Sequence, residues 1–247
     1  MSGRVALGIV GARLTGLFPI ALAVASAAAI LYLSIPRTAS AFLTISGDRV
    51  LEAIEKGRPV TPAQLSLLER AREEALNWTV SAKAFRDLSI ARNLRWTAAA
   101  DDTRADVDRD IVSLTTRSLT LSPANSQTWL RLASAEARMN GDTELVSEAL
   151  GLSFLTGPVL PLQTLYRLNL ALVSARFDKS ADRNLIFRQM RIAWKVDKQS
   201  SIRLSAASVR NIALFRAALA SDPIEYDKYN MKLEQYFDQK QKKPSAP

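Results

Sequence analysis

Between Leu14 and Ile35 the chain reads LTGLFPIALAVASAAAILYLSI, 22 consecutive residues without a charge. As a helix rising 1.5 Å per residue this run reaches roughly 33 Å, enough for a hydrocarbon core of about 30 Å. Beyond it, apolar positions recur at helical spacing. Leu65, Leu68, Ala71, Ala75 and Trp78 follow Thr61-Pro62, an N-cap with proline at the first helical position. Phe85, Leu88, Ala91 and Leu94 share one side of a segment over 81–98, and Ile111, Leu114, Ser118 and Leu121 do so over 105–121. Pro123-Ala124-Asn125-Ser126 breaks that helix and caps the next, over 126–139, which Gly141 closes. Further helices are expected over 143–155, 162–176, 181–195, 201–220 and 223–239, and strand-like alternation never persists. The pattern predicts an all-α protein, with one N-terminal transmembrane helix ahead of a row of helices.

This reading divides the chain into a basic tail (1–13), an anchor (14–35), a linker (36–60), a helical domain (61–239) and a disordered tail (240–247). Within the linker, a short helix from Asp48 to Lys56 is expected, closed by Gly57. Two readings of the N-terminus stand side by side. Arg4, Arg13 and the A-x-A pattern Ala25-Ser26-Ala27 resemble a signal peptide, whose removal would leave a secreted binding module. The apolar run continues to Ile35, longer than an ordinary signal core, which favours an uncleaved anchor. A short basic tail ahead of a first helix stays inside, so the expected topology is a cytoplasmic N-terminus and a periplasmic helical domain at a bacterial inner membrane. Ala21, Ala25 and Ala29 fall at i, i+4 and i+8, a small-residue stripe suited to anchor packing and a homo-oligomer.

Composition narrows the chemistry. The 247 residues include no Cys and no His. That excludes a Cys nucleophile, a Ser-His-Asp triad, disulfides and nearly every zinc site. No cofactor or metal site is expected. The net charge of +9 favours anionic partners. Arg188, Arg191 and Lys195, at i, i+3 and i+7, form with Arg203 and Arg210 a candidate stripe for anionic lipid or acidic glycan, against the plainer reading of solvated helix faces. Nucleic acid is not an expected partner, since no binding motif is present. Asp101-Asp102 and Asp106, Asp108 and Asp110 read as acidic residues complementing a helix N-terminus. Phe85, Trp129, Tyr166 and Trp194 read as packing residues rather than sugar platforms.

The chain also echoes itself. Phe85-Arg-Asp-Leu88-Ser-Ile-Ala resembles Trp129-Leu-Arg-Leu132-Ala133-Ser-Ala, 44 positions on. In each, an aromatic is followed at i+3 by Leu and at i+4 by a small residue, as in helical arrays. The stretch Arg117-Ser-Leu-Thr-Leu-Ser-Pro123-Ala-Asn-Ser-Gln-Thr-Trp129-Leu-Arg-Leu132-Ala133 resembles a junction between two tetratricopeptide repeats, and Asp222-Pro223 with Tyr229 repeats its Pro-to-aromatic spacing. Glu136 stands where that repeat prefers Tyr, and the 44-residue spacing exceeds its usual 34. The order of anchor, Ile54-Glu-Lys-Gly57-Arg-Pro-Val-Thr61, Ala75-Leu-Asn-Trp78, repeat and Leu152-Ser-Phe-Leu-Thr156-Gly-Pro158 is similar to small membrane-anchored TPR-like proteins that accompany bacterial exopolysaccharide genes. The resemblance implies a helical solenoid and a non-catalytic scaffold, with membrane or envelope-assembly proteins as partners. A membrane-tethered, carboxylate-dependent glycan-cleaving enzyme is the alternative, and it requires one buried Glu or Asp in a cleft.

Overall fold

A computed structural model describes the backbone of residues 6–160, 163–174 and 180–242, and the side chains of residues 19–160, 163–174 and 183–242. The fold is all-α, with eleven helices and no strand among the described residues. They are α1 (Ala6–Glu55), α2 (Pro62–Leu76), α3 (Ala82–Ala98), α4 (Asp101–Leu121), α5 (Ser126–Asn140), α6 (Glu144–Thr156), α7 (Thr164–Val173), α8 (Ser180–Val196), α9 (Lys198–Ser205), α10 (Val209–Leu219) and α11 (Pro223–Lys242). The chain forms two compact units, Met1–Ala91 and Arg92–Pro247.

In the first unit, α1 contains one stretch long and apolar enough to cross a membrane, within Pro19–Glu55, and none of its most apolar window is buried. The expected break after the apolar run is absent. Pro36 sits inside α1, and the helix continues to Glu55 instead of restarting at Asp48. Proline removes one backbone bond and crowds the preceding turn. The continuation is stabilised by side-chain packing rather than by propensity alone, as the burial of Ser40, Val50 and Leu51 indicates. The Gly47 position lies against Leu68 and Ala71 of α2, with room for no larger residue unless its neighbours shift. The N-cap predicted at Thr61 forms, and it closes into a capping box: the Thr61 hydroxyl accepts from the Gln64 amide while Gln64 Oε1 accepts from the Thr61 amide.

Arg72 is the polar centre of this unit. It is fully buried, and its Nε donates to Asp87 Oδ2 at 2.9 Å, Nη1 to the Thr44 carbonyl at 2.8 Å and Nη2 to Asp48 Oδ1 at 2.5 Å. One guanidinium therefore ties α1, α2 and the start of α3 together.

In the second unit the core is continuous from Leu119 to Leu233, with Ala133, Leu150, Phe154, Leu168, Trp194 and Phe215 at its centre. Trp194 meets Tyr229 edge-on at 5.6 Å, and Phe215 stacks on Tyr229 at 5.8 Å. Burial raises the Tyr229 phenol above its ordinary pKa. Arg167 is fully buried as well, held by the carbonyls of Ser153 and Gly157 and by Gln189 Oε1, with its guanidinium 4.9 Å from the Phe154 ring. Burial lowers its pKa to about 10, so it remains charged at neutral pH.

Two helix boundaries differ from the periodicity. The acidic helix starts at Asp101 rather than at 105. The segment 201–220 forms two helices, because Asp197 caps α9 through the Ser200 amide and Ser208 starts α10 through the Asn211 amide. The basic tail falls largely outside the described residues: residues 1–5 are not described, and 6–13 appear only as the backbone of α1. α11 extends to Lys242, into the segment read as a disordered tail, and residues 243–247 lie outside the described residues.

Candidate functional site

Within the second unit, a groove of about 440 Å³ is lined by the end of α3, the length of α5 and the start of α7. Its base is set by how α5 begins. Asn125 Oδ1 accepts from the Thr128 amide, and Trp129 Nε1 donates to the Pro123 carbonyl at 2.7 Å, which fixes the turn into the helix. From that start, Gln127, Leu130, Ser134 and Arg138 follow in steps of three, four and four, and so share one side of α5. Asn93, Trp96 and Thr97 form the wall from α3, and Gln163 and Tyr166 the wall from α7.

The groove is held from behind by Asp108, which is 3% exposed. Its Oδ2 accepts from Trp96 Nε1 at 2.9 Å, and its Oδ1 accepts from Arg138 Nε and Nη2 at 2.9 and 2.5 Å. The Trp96 ring lies 4.4 Å from the Arg138 guanidinium and 4.9 Å from that of Arg104. Across the groove, Tyr166 Oη donates to Ser134 Oγ at 3.0 Å. These bonds fix rotamers in advance of binding, which lowers the ordering cost of a contact. The lining offers three side-chain amides, two guanidiniums, hydroxyls and a half-exposed tyrosine, and no carboxylate. Amides recognise backbone N–H and C=O groups together, and guanidiniums recognise carboxylates, so the lining suits an extended polypeptide.

The residues singled out in the sequence take different places. Phe85 and Leu88 are buried in the first unit, and Leu132 and Ala133 in the second, with Trp129 partly buried beside them. Tyr166 is not a packing residue but a groove wall, 50% exposed. The basic stripe is not continuous. Arg191 Nη1 donates to the Ala218 carbonyl and Arg210 Nη1 to the Leu172 carbonyl, each capping the end of a neighbouring helix. Arg203 bonds Ser200, while Arg188 and Lys195 are exposed. Ala21, Ala25 and Ala29 are exposed on α1.

Asp108 is the residue that helix-dipole reasoning misplaced. Asp101 and Asp102 do lie in the first turn of α4, but Asp108 is buried two turns further on. Elsewhere, Glu225 accepts from Lys198, Lys228 and Trp194, and these bonds lower its carboxyl to about 2. Among the described residues, no group of three or more His, Cys, Asp or Glu side chains is placed to hold a metal ion. No protein-family model matches the chain, and no curated protein is significantly similar to it.

Proposed function

We propose that this protein is a membrane-anchored, non-catalytic scaffold whose TPR-like helical array binds an extended segment of a partner protein along the groove of α3, α5 and α7. The observation that carries this reading is that alternate helices supply the groove, while α4 and α6 do not line it. Stacked helix pairs bury one face and leave the other free for a partner. The Pro123–Trp129 turn, at the start of the central groove helix, has the residues of a tetratricopeptide junction. The anchor contributes concentration: it keeps the groove near membrane-bound partners, so weak contacts suffice. In this reading the N-terminus is cytoplasmic, both units are periplasmic at a bacterial inner membrane, and the partner belongs to polysaccharide or cell-envelope assembly. That last step rests on the order of segments along the chain.

The test is site-specific photo-crosslinking of the full-length protein in its native membrane. A crosslinker at Gln127 or Tyr166 is expected to trap an envelope-assembly protein, and Arg131→Glu with Tyr166→Ala to abolish the adduct. A crosslinker at Thr116, exposed on α4, is expected to trap much less. Equal capture from Thr116 and the groove, or no protein adduct at either groove position, would overturn the reading.

A further inference from the structure

The side of α1 turned away from α2 stays apolar beyond the bilayer span. Gly47 lies against α2, and Ser40, Val50 and Leu51 are buried. On the other side Val24, Leu31, Ile35, Phe42 and Ile45 are all more than half exposed. Lipid covers the first three if the run ending at Ile35 spans the bilayer. Phe42 lies roughly 10 Å and Ile45 roughly 15 Å further along the axis, beyond the hydrocarbon. Exposure of Phe42 at 75% in water is a cost that something must cover.

The spacing of this face identifies its geometry. Positions 24, 28, 31, 35, 38, 42, 45 and 49 advance in alternating steps of four and three, and all are exposed. That is a heptad seam, with Ala28, Ile35 and Phe42 in one core position and Val24, Leu31, Thr38 and Ile45 in the other. Pro36 is half-buried and falls outside the seam, so it does not interrupt it. Beside the aqueous end of the seam is an apolar cleft of about 670 Å³ with Phe42, Ile45 and Leu67 among its walls. Arg49 and Glu74 also line it.

We infer that a second copy of this chain covers the seam, the two α1 helices pairing in parallel as a left-handed coiled coil from the bilayer to Arg49. The seam keeps one phase across the membrane boundary, so its partner must lie along both lengths. A soluble protein reaches only the aqueous end, and lipid only the membrane end. A second copy, inserted in the same direction, brings the same seam at the same height and so pairs in register. This inference is independent of what the groove binds.

The chain has no cysteine, so single cysteines report the pairing directly. Thr38→Cys, Ile45→Cys and, off the seam, Arg37→Cys are introduced separately into the full-length protein, oxidised in the native membrane and resolved by mass. Disulfide-linked dimers are expected at Thr38→Cys and Ile45→Cys, several-fold above Arg37→Cys. Adding Phe42→Glu to Ile45→Cys is expected to remove that dimer while circular dichroism shows unchanged helicity. Equal dimer yields at all three positions, adducts only with a different protein, or an Ile45→Cys thiol shielded from aqueous reagent without dimer would each overturn the inference.

Discussion

Asp108 and Arg138 lie 30 positions apart, yet the Asp108 Oδ1 atom accepts two hydrogen bonds from that one guanidinium, at 2.9 and 2.5 Å. The second oxygen of the same carboxylate holds Trp96. One buried acid therefore joins α3, α4 and α5, the first two helices behind and beside the groove and the third along its floor. The groove's shape depends on an internal charge rather than on its own lining.

Replacing Asp108 by Ala removes the acceptor of the half-buried Trp96 indole N–H and leaves the Arg138 guanidinium only Asn93 Oδ1, at 3.4 Å. The Arg138 side chain retains some solvent access, which tempers the penalty. The expected loss is about 2 kcal/mol. For a protein of this size that corresponds to a fall of ~4–8 °C in Tm, measured by circular dichroism. Crosslinking from the groove should fall with it even below the Tm, because Trp96 and Arg138 lose their common anchor. An unchanged Tm would refute the structural role of Asp108.

Arg72 provides a sharper case, since it and Asp87 are both fully buried. Arg72→Ala takes the cation from Asp87 Oδ2 while Arg86 still donates to Oδ1, and it is expected to cost about 3 kcal/mol, the low end for breaking a buried pair. Replacing both by apolar residues, as in Arg72→Met with Asp87→Leu, removes the charge along with its partner. The double variant is therefore expected to be more stable than the sum of the single losses indicates. Chemical denaturation of the detergent-solubilised full-length chain provides the cycle, and strict additivity would show that the pair is not coupled.

Helix content was legible because a 3.6-residue period survives in Leu65–Ala75 and in Ile111–Ser118 without any knowledge of partners. The cap at Thr61 was legible for the same reason, as it is made within four residues. What escaped was non-local. Asp108 looks like any acidic residue near a helix start, and only Trp96 and Arg138, placed by the fold, distinguish it. Arg191 and Arg210 line up in sequence as a stripe, but each is drawn to a carbonyl of another helix. The division of 201–220 had a local signal in Ser208, which a helix-compatible run of alanines obscured. Residues 36–60 read as a linker with a short helix, although packing against α2 sustains one helix through Pro36 to Glu55.

Gly157 is a steric prediction. A Cβ at that position would come within 2.3 Å of Ser126 Oγ and 2.6 Å of Ser126 Cβ. Its carbonyl also accepts from Arg167 at 2.7 Å, so the backbone is poorly placed to move away. Gly157→Ala is expected to destabilise by about 1–3 kcal/mol through overpacking. Ser126→Gly added to it removes both clashing atoms and should recover part of that loss. Equal stability of wild type and Gly157→Ala in urea unfolding would show that the turn yields more easily than its contacts imply.

Acid sensitivity follows from Glu225. Lys198 Nζ and Trp194 Nε1 donate to its Oε2 at 2.8 and 2.7 Å, and Lys228 Nζ donates to Oε1 at 2.8 Å. These bonds lower its pKa from an ordinary 4.5 to about 2. Between pH 4.5 and 2 the unfolded chain takes up a proton that the folded chain refuses, so acidification in this window favours unfolding. The stabilisation is fully present above pH 4.5 and is lost by about pH 2. Glu225→Gln cannot titrate, and it also gives up the ionic part of the contacts with Lys198 and Lys228. It is expected to be less stable than the wild type at pH 7, with the difference shrinking as pH falls from 4.5 toward 2. Urea midpoints at pH 7 and pH 3 check this, and a difference that is constant between those two pH values would mean that Glu225 does not govern the acid limb.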